Sequence, residues 1–218
     1  MTTQQVQSEV YEGQFGAFTI TADDRRGVII YRAALMVAAL CFAVGSGLVL
    51  LRGSTSWAVT FLTPLFACFW LALGVSLLTI HIYLKPLHQM LQVFWAIGGI
   101  TALAIAVSGA EPLGLIVYQQ PLTILGIGFT FAALTGLFFK EAVCFNRLET
   151  KILTPLVPIL LLGHIVGQLP VAWEKAMLLV WGGLFLVFAC RKAIQPIPPD
   201  IGDKSVFAYL KAQRSANP

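Results

Sequence analysis

Charge is the scarcest property of this chain. Of 218 residues only 11% are Asp, Glu, Lys or Arg, against roughly 25% in soluble domains, while 58% are apolar. So few charges exclude a water-facing globular surface, a disordered segment and a coiled coil. Cysteine is scarce too: Cys41, Cys68, Cys144 and Cys190 show no CxxC and no Cys/His metal spacing, so neither a disulfide scaffold nor a metal site is expected. Glycine-rich nucleotide loops are missing, as are the His-Glu-x-x-His, Ser-with-His and paired-aspartate patterns of intramembrane proteases. What remains is a protein whose solvent is mostly lipid. The bilayer is the partner it requires; nucleic acid is not expected, and the oligomeric state is open.

A helix needs about 20 mainly apolar residues to cross the hydrocarbon core. Six stretches meet or approach this length: 33–51, 57–80, 91–110, 121–139, 152–169 and 171–190. The expected fold is an all-α bundle of six transmembrane helices, with a lead over 1–32 and a Pro-containing tail over 191–218. Leu113 to Tyr118 is also apolar and is expected to extend or tilt the fourth helix, a short interfacial piece being the alternative. Six spans put both tails and the second and fourth loops on one side. Of the 14 Lys and Arg residues, all but Arg52 and Lys175 then fall on that side, the bias of a cytoplasmic or stromal face. Trp57, Tyr118 and Trp173 mark the outer interface and Tyr31 and Tyr83 the inner one, while Trp70, Trp95 and Trp181 read as packing residues. The first apolar run starts behind Glu9, Glu12, Asp23 and Asp24, which does not read as a signal peptide.

Outside the spans three segments stand out. In the lead, Thr21 and Asp24 have cap spacing, so the first helix is expected to start near Ala22. Upstream, the aromatic stretch from Val10 to Ile20, with Tyr11 and Phe15, is expected either to cap its own bundle or to dock on a partner. The fourth loop carries Lys140, Glu141, Arg147, Glu149 and Lys151, a second candidate partner-binding surface. Asn146 and Glu149 there have the spacing of a capping box, which starts the fifth span near Arg147. Glu141 and Glu149 read as members of a salt-bridged turn rather than as a pair for proton chemistry. In the tail, Pro196, Pro198 and Pro199 read as an extended spacer before a short amphipathic helix over 203–214, which either lies on the membrane or frays.

Within the spans, His164 is the ionisable side chain that stands deepest, and ionisable groups there are functional candidates. Gly163 and Gly167 beside it make a GxxxG face, so the first reading is a neutral histidine bonded across a tight helix pair. Haem or pigment ligation is the sharper alternative, though no cofactor is required. Ala43/Gly47 and Ala132/Gly136 are further small-residue faces for helix packing. His81 and His88 are expected on one helical face among headgroups, and Pro64, Pro155 and Pro158 are expected to kink their helices. Leu62-Thr63-Pro64-Leu65 recurs as Leu153-Thr154-Pro155-Leu156, the trace of a candidate inverted repeat.

The stretches Tyr-Glu-Gly-Gln-Phe-Gly (11–16), Thr-Ala-Asp-Asp-Arg-Arg (21–26) and Lys-Glu-Ala-Val-Cys-Phe-Asn-Arg-Leu-Glu-Thr-Lys (140–151) resemble a family of uncharacterised integral membrane proteins of cyanobacteria, with relatives in plants. The similarity covers most of the chain. It implies a photosynthetic host and a thylakoid or plasma membrane, and it carries no catalytic residues. The expected function is a non-enzymatic accessory, assembly or scaffold role toward other membrane-protein subunits. A small-solute or ion transporter or channel is the second reading, and a haem or pigment binder through His164 the third.

Overall fold

Thr21 ends the lead and starts the first helix. In the computed structural model, which describes residues 9–53 and 55–216, the Thr21 hydroxyl accepts from the Asp24 N–H at 3.2 Å. The Asp24 carboxylate accepts from the Thr21 N–H at 2.8 Å. This reciprocal cap satisfies two donors that a helix start leaves free. Helix α1 then runs unbroken over Ala22–Arg52, merging the second part of the lead with the first span. Next come α2 (Ser56–Thr79), α3 (Lys85–Ser108), the short α4 (Leu113–Gln119), α5 (Ile124–Phe145), α6 (Leu148–Val166) and α7 (Val171–Ile194). Among the described residues six helices are long and apolar enough to cross a membrane: α1, α2, α3, α5 with the 3-10 turn before it, α6 and α7.

Several local expectations change. Leu113 to Tyr118 does not extend the fourth span: α4 is a separate helix, cut off by Gln120 and a 3-10 turn over Pro121–Thr123. Asn146 does not cap α6. It ends α5 in the left-handed region at φ 52°, which asparagine tolerates, and α6 starts from Arg147 without a side-chain cap. Gly167 lies beyond the helix that the GxxxG reading needs. At φ 68° it is the left-handed C-cap of α6, and a side chain at Gly163 would meet Leu169 of the following turn rather than another helix. His164 is therefore in the last turn of α6, near its end rather than at mid-depth. His81 follows α2 while His88 sits in α3, so they share no helical face.

The six long helices close a ring in chain order, each packing on the next and α7 returning to α1. An in-plane twofold would reverse the sense of travel around the ring between its halves. The chain keeps one sense throughout, so the Leu-Thr-Pro-Leu recurrence does not extend to an inverted repeat. Leu35, Leu73, Leu77, Leu134, Leu137, Phe138, Leu153, Phe185 and Phe188 fill one half of the ring. Phe42, Phe69, Phe131 and Trp181 pack beyond them, with ring centroids 4.4–6.5 Å apart. Trp70 and Trp95 stack at 4.4 Å, each indole N–H donating to the other's carbonyl at 2.8–2.9 Å, which joins α2 to α3. These three tryptophans are packing residues.

The lead folds onto its own bundle. Val10–Gly13 (β1) and Gly16–Thr19 (β2) pair as an antiparallel hairpin. The Gln14 N–H donates to Asp203 at 2.6 Å and Phe15 stacks on Tyr209 at 4.0 Å. Pro198 and Pro199 are no extended spacer: Pro198–Ile201 is a helical turn (α8) whose Ile201 is buried with Ile20 and Val28. Helix α9 (Lys204–Ala216) follows, and its Phe207 stacks on Tyr83 of the α2–α3 connection at 4.8 Å. Hairpin, α8, α9 and both even-numbered loops thus share one end of the ring, called here the tail end. The α1–α2 connection, α4 and the α6–α7 connection lie at the far end. Tyr31, expected at the interface, is buried in the core instead.

Burial at the tail end has a pH consequence. His81 is half-buried against α1, facing Asp24, Lys140, Lys204 and Asp200, and loss of hydration holds its imidazole below the usual 6.5. The folded state thus binds fewer protons there than the unfolded chain. Its contribution is present above 6.5 and is lost as pH falls below it. Thermal unfolding of His81→Gln should therefore fall less steeply than wild type between neutral pH and pH 5. Parallel curves would exclude His81 as the source of acid sensitivity.

Candidate functional site: a tail-end ion-pair cluster and a far-end cavity

Two places concentrate polar chemistry. At the tail end, α5, α7, α1 and α8 bring five charges together out of water. Lys192 lies on the face of α7 that continues from Trp181, Phe185 and Phe188, and Glu141 continues the α5 face of Leu134, Leu137 and Phe138; both are 0% exposed. The Lys192 ammonium donates to Glu141 at 2.6 Å, pairs with Asp200 and stands 3.9 Å from the centre of the Phe145 ring. Lys140 donates to the other Glu141 oxygen at 2.7 Å, where the Tyr31 hydroxyl also reaches at 3.3 Å. Arg32 donates to Asp200 through Nε at 2.8 Å and Nη2 at 2.6 Å, and to the carbonyls of Gln195 and Pro196 that follow α7. Every carboxylate there has a cation, the condition under which buried charge is tolerated.

Beside this cluster, Glu149 accepts from Arg191 at 2.8 Å and faces Arg147 at 3.5 Å, an ion pair without a hydrogen bond. Arg147 also donates to the Gln195 side chain. Glu141 and Glu149 therefore serve two separate cation sets on α5 and α6, as a salt-bridged turn rather than a carboxylate pair. Lys140, Glu141, Arg147 and Glu149, the candidate partner-binding residues of this loop, have side chains at most 9% exposed that pair with one another, with Lys192 and with Gln195. Tyr11 stacks on Phe18 and Phe15 on Tyr209, so the aromatic lead is likewise engaged internally, with Phe15 still 45% exposed.

At the far end the ring is not filled. A cavity of about 530 Å³ lies between α1, α2, α4, α5, α6 and α7, floored by Phe42, Phe131 and Trp181 and framed at its mouth by Tyr118, His164, Glu174 and Lys175. A smaller space of about 200 Å³ adjoins it under α4 and shares Phe42, Leu62 and Phe131. The His164 Nδ1 lies 2.6 Å from Glu174 of α7, its Nε2 lies 3.3 Å from the Tyr118 carbonyl of α4, and the Tyr118 ring stacks on it at 5.0 Å. This side chain ties three elements together over the cavity. Both partners are acceptors, and a neutral ring, with one N–H, donates to one of them at a time. A haem or pigment ligand would have to displace one of these contacts.

The small-residue faces divide. A side chain at Gly136 would run into Leu91, which places it in the α3–α5 contact, whereas Ala132 faces outward; Ala43 lies against Gly182 of α7, while nothing stands within 4 Å of a side chain built at Gly47. Lys192, Asp200 and Arg32 are the functional-looking residues that sequence reasoning missed. The signal that would have found them is periodicity carried past the apolar run. Positions 181, 185, 188 and 192 share one helical face, and so do 134, 137 and 141.

The comparisons with known proteins are consistent with this architecture. Residues 75–209 match the family described as uncharacterised integral membrane proteins, DUF2301. An uncharacterised protein of Haemophilus influenzae is 28% identical over 185 residues, covering 83% of this chain and 89% of its own length. No solved structure matches. With the match running from α2 into α9 and so including Lys140, Glu141, Lys192 and Asp200 of the ion-pair cluster and most of the cavity wall, the chain belongs to the DUF2301 family of integral membrane proteins.

Proposed function

We propose that this integral membrane protein is a non-enzymatic binding protein that takes a small, mainly apolar molecule into its far-end cavity, with the tail end on the cytoplasmic side of a bacterial membrane. The observation that carries the reading is the cavity. Its 530 Å³ falls in the range of ligand sites, its walls are apolar, and its few polar groups converge at the mouth. The sorting of Lys and Arg supports the orientation. A role in binding other subunits draws less support, because the charged side chains Lys140, Glu141, Arg147 and Glu149 of the 140–151 loop are paired within the bundle. Transport of ions or polar solutes draws less as well, since the cavity offers such cargo few partners. Pigment ligation competes with the contacts His164 already makes.

The test uses the purified protein in mild detergent and the uncharged dye N-phenyl-1-naphthylamine. Wild type should show a saturable fluorescence rise, and Leu178→Trp, which puts an indole into the cavity, should lose it while unfolding at the same temperature. A linear, unsaturable signal equal in both proteins would sink the proposal.

A further inference from the structure

One carboxylate, Glu174, one lysine, Lys175, and His164 line the cavity mouth, while Arg52 and Glu111 lie at the same end outside the lining. Glu174 is committed to His164 at 2.6 Å. The Tyr118 carbonyl lies 3.3 Å from the other ring nitrogen, so His164 is held between α4 and α7 at the rim. Lys175 also lines the cavity, and among the described residues it has no ion-pair partner. Arg52, the remaining far-end cation, stands 6.0 Å over the Trp57 ring. With Glu174 engaged by His164, Lys175 is the unpaired charge of the mouth, while the walls and the Phe42–Phe131–Trp181 floor are apolar. Along α7, six residues separate Lys175 from Trp181, a depth of about 9 Å.

We propose that the guest is a single-chain anionic amphiphile, a free alkyl carboxylate of the fatty-acid class, whose head sits at Lys175 and whose chain points toward Trp181. This rests on the cavity-binding reading above and adds the chemistry of the occupant. Charge complementarity selects the head: an anion gains the unpaired Lys175 ammonium at the mouth, whereas a cation finds the lining carboxylate, Glu174, already engaged by His164. Size selects one chain. At about 30 Å³ per water-sized group, 530 Å³ holds about 18 such groups, which suits one chain and its head but not the two chains of a phospholipid.

Bromine quenches indole fluorescence, so 11-bromoundecanoate, 11-bromoundecanol and 11-bromoundecyltrimethylammonium report arrival of the chain at the floor. The signal is the quenching that disappears in Trp181→Phe and that unbrominated undecanoate competes away; the competition stands by itself if that variant does not fold. The carboxylate should bind about tenfold more tightly than the alcohol, a difference of about 1.4 kcal/mol, and Lys175→Met should erase the difference while leaving the alcohol unchanged. Equal affinity of carboxylate and alcohol, or preference for the ammonium, would overturn the anionic head and leave the cavity-binding reading standing. Absence of saturable quenching with all three probes would overturn both.

Discussion

Lys192→Met should be among the most damaging single changes in this protein, lowering stability by about 3–5 kcal/mol, the range found when one member of a buried ion pair is removed. The methionine fills most of the volume, so the loss is electrostatic. Glu141 and Asp200 both point at the Lys192 ammonium, which is 0% exposed, and without it they face each other's negative charge with one cation fewer. Lys140 and Arg32 remain, which keeps each carboxylate partnered once. Because Asp200 belongs to α8, the effect should be regional: limited proteolysis should cut the tail beyond α7 earlier than in wild type. Adding Glu141→Gln to Lys192→Met should recover part of the loss, since it removes one orphaned charge. Removing the exposed Arg26–Asp23 pair with Arg26→Ala should change stability by less than about 1 kcal/mol. Thermal unfolding in detergent, followed by tryptophan fluorescence, compares the three. Equal behaviour of Lys192→Met and Arg26→Ala would show that the cluster does not hold the tail.

Gly98→Ala should cost about 1–3 kcal/mol despite adding only a methyl group. A side chain at Gly98 would fall inside van der Waals contact of the Thr130 hydroxyl and backbone nitrogen and 3.0 Å from its Cα, so it meets the α5 backbone rather than a movable side chain. Helix α3 would have to move off α5, its main neighbour. In lipid, helices associate through such close packing, because the bilayer offers no hydrophobic drive to hold them together. Gly183→Ala is the matched control: nothing stands within 4 Å of the added atom. A drop in unfolding temperature confined to Gly98→Ala checks the prediction; equal values for both variants would mean that α3 seats on α5 without this contact.

Legibility differed from element to element for reasons that lie in the residues. The Thr21–Asp24 cap was readable because both partners sit three residues apart and make a local bond. Asn146 misled because the same side chain that caps helix starts also tolerates the left-handed region that ends them; the residues that follow do not separate the two uses. Gly163 and Gly167 misled in a similar way, since spacing alone does not say that the helix stops at the second glycine. At the candidate site, His164 was visible as a polar group in an apolar run. Its partners Glu174 and the Tyr118 carbonyl come from other elements, 10 and 46 residues away.

By itself the sequence determined that this chain lives in a bilayer, that it crosses as six helices, and that both tails share one end. All three follow from length, composition and the distribution of charge, quantities that each segment carries on its own. Only the tertiary structure decided which charges leave water and where the packing stops. Lys192 is tolerable in the interior because Glu141 and Asp200, 51 residues before it and eight after, converge on it. The cavity exists because the side chains that fill the tail half of the ring have no counterparts in the far half. Both are properties of what surrounds a residue, set by neighbours that the linear order keeps apart.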